Sequence, residues 1–230
     1  MRKEEISELL EESDELIRQI ISYRKVPRPK VKSILEHLRS SLEYLAQDIN
    51  EKISRPKKRI YFPYGKTEDD FKNSINKYFP LLSQEFPAIY DEIVKIQKFK
   101  LNDDWLFKLC RLTNDAKHKN AIDVKSQEEV LRSTSVEIDL FGSFILAPGS
   151  TANVRNVSIN GKRLDDFTYR DGNLEITKKG EIPIRFKITK DKKILIGDEY
   201  LDLIPFLEKC QSNIKTFIEE TYSIIEKINK

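Results

Sequence analysis

Residues 201–228 read LDLIPFLEKCQSNIKTFIEETYSIIEKI, and the spacing of their apolar side chains sets the expected architecture. Leu203, Ile204, Leu207, Ile214, Phe217, Ile218, Ile224, Ile225 and Ile228 recur along one helical face. So long an apolar face needs cover from water, and the nearest cover is the helical start of the chain. There Ile6, Leu9, Leu10, Leu16, Ile17, Ile20 and Ile21 form a first stripe, which Val26-Pro27-Arg28-Pro29 stops. Val31, Ile34, Leu35, Leu38, Leu42, Leu45 and Ile49 make a second stripe of nearly heptad spacing, suited to an antiparallel neighbour.

An extended connection follows from Ser54 to Gly65. Thr67, ahead of Glu68, Asp69 and Asp70, predicts an N-cap with acids in the first turn. Phe71, Ile75 and Phe79 carry that helix to Pro80, and Ile89, Ile93, Ile96 and Phe99 mark the next. Asn102 or Asp103 then caps a helix over Trp105–His118.

Glycine divides the chain. Gly65 stands alone in the first half, while Gly142, Gly149, Gly161, Gly172, Gly180 and Gly197 crowd one later stretch, where turns are cheap and helices are not. In that stretch Val136, Ile138 and Leu140 alternate with polar residues, as do Val157 and Ile159, and Ile182, Ile184, Phe186 and Ile188. Asn160-Gly161 is a strong hairpin signal, with weaker ones at Asp171-Gly172-Asn173 and Lys179-Gly180. The expected fold is α+β: a mainly α-helical up-and-down bundle with a small antiparallel sheet of about four to six strands inserted before the C-terminal helix. The expected boundaries are 1–130 for the bundle, 131–198 for the insertion and 199–230 for the helix that packs back.

Composition excludes several classes. The 230 residues carry 41 basic and 38 acidic side chains, a net charge of +3, which argues against a general nucleic-acid coat but permits a local basic patch. The run Arg55-Pro56-Lys57-Lys58-Arg59, followed by Tyr61, Phe62 and Tyr64, is that patch, with cations for phosphates and rings for bases. The alternative is a solvated loop whose Tyr61 and Phe62 enter the core. Cys110 and Cys210 lie in apolar helical patterns and read as small buried hydrophobes. Neither zinc-ligand spacing nor a phosphate-cradling glycine loop is present, so no metal and no cofactor is expected. No apolar run reaches the roughly 18 residues of a membrane span, and the charged start lacks a signal peptide, so the expected compartment is cytoplasmic without a membrane partner.

Chemistry concentrates in Trp105–His118. On a helical wheel Trp105, Leu109, Leu112 and Ala116 share one side, with Leu106 and Thr113 at its edge. Arg111, Asn114, Asp115 and His118 gather opposite, among them Phe107. A permanent cation beside a group that titrates near neutrality suits phosphodiester cleavage. Asn114 and Asp115 are placed to orient the imidazole, or Asp115 pairs with Lys119. Lys117 adds a cation for RNA. The chain has only two histidines. The other, His37, is expected to face solvent, with Arg39 and Glu43 pairing on the surface or supporting the Arg111 and His118 site from behind.

From about Val31 to Asn120 the chain resembles the HEPN superfamily of prokaryotic toxins, anti-phage defence proteins and related RNases. The family motif is an arginine, four to six residues, then a histidine; Arg111 and His118 enclose six. The stretch is also similar to a group of uncharacterised bacterial proteins through Arg39, Leu42, Glu43, Tyr44, Leu45 and Ala46, then Phe62 and Pro63, then Leu112, Asn114, Lys117 and His118. The resemblance implies a metal-independent endoribonuclease of toxin or defence type, with a composite Arg/His site across a homodimer and a neutralising or activating protein partner. Active members carry a polar residue after the arginine, where this chain has Leu112 on its apolar stripe. Two alternatives stand beside it: a non-catalytic module that binds a protein or small ligand through the β insertion, and a nucleic-acid-binding accessory using Arg55 to Arg59.

Overall fold

The computed structural model describes residues 1–22, 26–118, 122–138, 141–197, 199 and 201–228, apart from the side chains of 118, 126, 127, 129, 191 and 192. Among these residues the chain begins with α1 (Lys3–Ser22), α2 (Arg28–Asn50), α3 (Glu68–Tyr78), α4 (Leu82–Glu85), α5 (Pro87–Lys95), α6 (Lys98–Leu101) and α7 (Trp105–His118). It continues with β1 (Val124–Ile138), β2 (Gly142–Leu146), β3 (Thr151–Val154), β4 (Ser158–Ile159) and β5 (Lys162–Arg163). Then come β6 (Asp166–Arg170), β7 (Asn173–Lys178), β8 (Ile184–Ile196), β9 (Leu201–Asp202) and α8 (Leu203–Ile228).

The chain forms two units, the first from residues 1–125 and 194–230 and the second from 126–193. In the first, α2 carries the densest stripe: Val31, Ile34, Leu35, Leu38, Leu42, Leu45 and Ile49 have no exposed surface. Each such burial contributes about 1.5–3 kcal/mol. Pro27 precedes this helix as its cap and Pro29 sits in its first turn, where a missing amide costs nothing. Helix α8 packs on α1, α2, α5 and α7, closing the core with Leu207, Cys210, Ile214 and Phe217. Phe217 meets Phe62 edge-on at 5.7 Å. Thr67 caps α3 through a reciprocal box with Asp70, at 3.2 and 3.1 Å. The helix expected through Ile96 and Phe99 breaks into α5 and α6 at Gln97, whose buried amide bonds Ile93 O at 3.0 Å.

The second unit overturns the expected fold class. The protein is mixed α+β with a strand-rich middle and 24% strand, not a mainly helical bundle carrying a small sheet. Instead of one sheet, the strands form a four-stranded order β2-β1-β8-β9, a three-stranded order β3-β6-β7 and the pair β4-β5. The middle also has its own core of Val136, Leu164, Phe167, Ile182 and Ile184. The extent of β1 escaped the sequence because Lys125-Ser126-Gln127-Glu128-Glu129 has no alternation to read. Leu140, the end of one predicted alternation, lies outside the described residues. Two hairpins follow their turn residues. Asn160 and Gly161, and Asp171 and Gly172, all have positive φ, the type I′ pattern that matches strand twist.

Candidate functional site

Helix α7 is set by its first turn. The Asp103 carboxylate accepts from Trp105 N at 3.1 Å, satisfying one of the open amides at the helix start. It also pairs with Lys209 of α8. Burial pushes the Asp103 carboxyl up, but the bonds from Lys209 and Trp105 N hold it below its usual range. Trp105, Leu106, Leu109, Cys110 and Thr113 are buried, and Leu112 and Ala116 pack partly against the same core. Thr113 spends its hydroxyl on Leu109 O at 2.7 Å.

On the outer side Arg111, Asn114 and Lys117 are exposed and Asp115 is half-buried. His118 closes the helix, and its side chain, like Lys119, lies outside the described residues. Arg111 Nη2 donates to Glu199 at 2.8 Å. The same carboxylate holds Lys108 at 3.2 Å, and Lys108 also reaches Asp104 at 3.1 Å. Burial raises the Glu199 carboxyl, yet the bonds from Lys108 and Arg111 hold it below the ordinary range. Glu199 is 88 residues from Arg111 in the chain, and no motif in the sequence joins them. Asn114 Nδ2 donates to the Tyr64 hydroxyl at 3.4 Å, a long bond. Phe107, which the wheel sets among the polar residues, lies half-buried against the Tyr64 ring at 6.4 Å.

Behind this face lies a charge for which the sequence left two places open, the surface or a support behind the site. Arg39 and Glu43 do pair, at 2.5 Å, but the Arg39 side chain is only 11% exposed. Its guanidinium also meets Cys110 Sγ, bonds Phe62 O at 3.5 Å and lies over the Tyr64 ring at 4.9 Å. Burial pushes the Cys110 thiol up to about 11 despite the nearby Arg39, so it stays protonated and weakly nucleophilic at neutral pH. The extended segment between the basic run and α7 is pinned along its length. Phe62 N donates to Glu43 at 2.7 Å, Gln97 Nε2 donates to Pro63 O at 3.4 Å, and Gly65 N donates to Gln97 at 3.2 Å. These bonds position Tyr64, whose hydroxyl accepts the long bond from Asn114. The motif residues Arg39, Glu43, Phe62 and Asn114 thus belong to one locality, a signal present in the sequence as co-occurring short motifs. His37 departs from expectation: it is half-buried, and its buried Nδ1 has no hydrogen-bond partner among the described residues.

Arg55, Lys57, Lys58 and Arg59 form an exposed loop after α2. Tyr61 is 41% exposed while Phe62 is buried at 1%, so only one of the two rings enters the core. Among the described residues no three His, Cys, Asp or Glu side chains gather into a metal-holding group. No described helix is long and apolar enough to cross a membrane. A groove of 540 Å³ between α1 and α8, lined in part by Leu10, Gln211 and Tyr222, contains none of the candidate residues. No family model, no curated protein and no solved structure matches this chain.

Proposed function

We propose that the chain is a HEPN-like, metal-independent endoribonuclease of toxin or defence type, acting as a homodimer through the outer faces of two α7 helices. The observation that carries this reading is the sorting of α7: its apolar stripe is spent on the core, and Arg111, Asn114 and Lys117 lie on the exposed side, Arg111 in a contact with Glu199 that a phosphate must displace. His118 follows Arg111 by seven residues in the sequence, the separation of neighbours on one helix face. In the reaction one His118 imidazole takes the proton of a ribose 2′-hydroxyl. The 2′-oxygen attacks phosphorus, the bond from phosphorus to the 5′-oxygen breaks, and the other protomer's imidazole protonates the leaving oxygen. Arg111 binds the phosphoryl oxygens as charge grows on them. Leu112 packs partly against the core and contributes no polar group to the reaction.

RNA incubated with the protein in EDTA should yield 2′,3′-cyclic phosphate and 5′-hydroxyl ends. Arg111→Ala and His118→Ala should each slow cleavage by about 100-fold or more. Equal cleavage by wild type and His118→Ala, or none by either, would end the nuclease reading.

One observation favours a second reading, the non-catalytic binding module. The strand-rich unit exposes Val130, Phe141, Ile145, Val157, Ile176, Phe186 and Ile188, with Ile145 at 73% on the edge strand β2. Exposed apolar side chains on an unpaired edge are a common means of strand-to-strand recognition. Loss of partner binding on Ile145→Lys, with RNA cleavage absent, is the outcome expected of that module.

A further inference from the structure

We infer that the loop from Ser54 to Tyr61, with Lys77 and Tyr78 at the end of α3, is a binding surface for single-stranded nucleic acid. Arg55, Lys57, Lys58, Arg59 and Lys77 are exposed, and among the described residues none of them is in ion-pair contact with a carboxylate. Elsewhere in the same unit Arg2, Lys72, Lys108, Arg111 and Lys209 have acidic partners while Lys66 and Lys117 have none among the described residues, so it is the clustering of five such cations that marks the loop. Like charges held together repel, and an anionic partner offsets that cost. Glu85, the acid beside the loop, is engaged by the amide of Ser54 at 2.9 Å and by its hydroxyl, and its charge is felt by Arg55 alone of the five cations.

The loop is held in shape rather than merely charged. Ile53 and Ile60 anchor its two ends in the core, at 4% and 5% exposure. At its centre Lys57 N donates to Asn50 Oδ1 and Asn50 Nδ2 donates to Lys57 O, both at 3.0 Å, so Lys57 is fixed by its backbone while its ammonium faces water. The aromatics are arranged with equal economy. Arg59 Nη2 donates to the Tyr61 hydroxyl at 3.0 Å, Tyr61 meets Tyr78 edge-on at 5.5 Å, and Lys77 lies over the Tyr78 ring at 5.1 Å. The result is two rings packed edge to face, with Arg59 over the Tyr61 ring at 5.8 Å, Lys77 over the Tyr78 ring, and Tyr61 still 41% exposed. Cations tracking phosphates beside rings that accept bases is how single strands are bound without sequence reading. A duplex hides its base faces, and an acidic protein makes no use of the rings. This inference goes beyond the catalytic reading and does not rest on it, since neither Arg111 nor His118 takes part.

The test is fluorescence anisotropy with the full chain and labelled oligo-dT and oligo-U of about 12 nucleotides, within the span of single-strand sites. The DNA probe cannot be cut through a 2′-hydroxyl, so a failure of catalysis leaves this test intact. Both probes should bind alike, because nothing in the loop reads the 2′-oxygen. Lys57→Ala/Lys58→Ala should reduce the slope of log affinity against log salt by about 1.4, at about 0.7 per phosphate released. Tyr61→Leu should weaken both probes by about tenfold, a stacked base's worth, and leave inorganic polyphosphate binding unchanged. Lys72→Ala/Lys98→Ala, which removes paired surface lysines, should change nothing. The proposal is overturned if the loop variants bind as wild type does. It is overturned equally if polyglutamate or a duplex binds as well as the single strands and Tyr61→Leu is silent, since the surface would then fit an acidic partner.

Discussion

With Lys108 at 3.2 Å and Arg111 at 2.8 Å, the half-exposed Glu199 carboxylate competes with any phosphate for the Arg111 guanidinium. Its pH behaviour follows from the sign of its shift. Lys108 and Arg111 hold its folded pKa below the ordinary value, so the contact is complete above the ordinary carboxylate range and is lost only as pH falls through the lowered value. Across the neutral range the latch stays charged, and a phosphate must displace it. Glu199→Gln should therefore tighten Arg111-dependent oligonucleotide binding several-fold at neutral pH. The same substitution in an Arg111→Ala background should do little. Unchanged affinity in the first case would show that Glu199 does not restrain Arg111.

At the scale of elements, the segment that joins the basic loop to α3 and lays Tyr64 against α7 depends on one small residue. A Cβ at Gly65 would stand 2.4 Å from Phe71 N and 2.7 Å from Thr67 O, both backbone atoms of the capped start of α3. Neither can retreat without opening the cap, so Gly65→Ala should cost about 1–3 kcal/mol, as overpacking does. The urea midpoint reads this directly, and a variant as stable as wild type would contradict the close approach. Displacing this segment also moves Tyr64, and with it the hydroxyl that holds Asn114. The same variant therefore links packing to the proposed site.

For the whole molecule, the core of the first unit is drawn entirely from residues 1–125 and 194–230, although those segments are far apart in the chain. The two ends left by removing 126–193 are neighbours, because Gly197 N donates to Asp123 O at 2.9 Å. Replacing 126–193 by a short Gly/Ser linker should leave a cooperatively folding protein whose helical circular dichroism is retained. A chain that lost its unfolding transition would show that the first unit needs the second.

Much was written in local pattern. The stripes of α1, α2 and α8 apart from the exposed Ile21 and Ile228, the Thr67 cap, and the turns at Asn160-Gly161 and Asp171-Gly172 depend on residues within a few positions of one another, and periodicity or φ preference encodes such features. The outward placement of Arg111 and Asn114 followed from the same arithmetic, while Asp115, placed with them, is half-buried. Only tertiary structure decided that the middle has a core of its own, that Arg39 is buried against Cys110 and Tyr64, and that Glu199 occupies Arg111. Each of these is a meeting of residues distant in the chain. A charged side chain looks alike in sequence whether it faces water or a buried ring, because its environment is supplied by other segments.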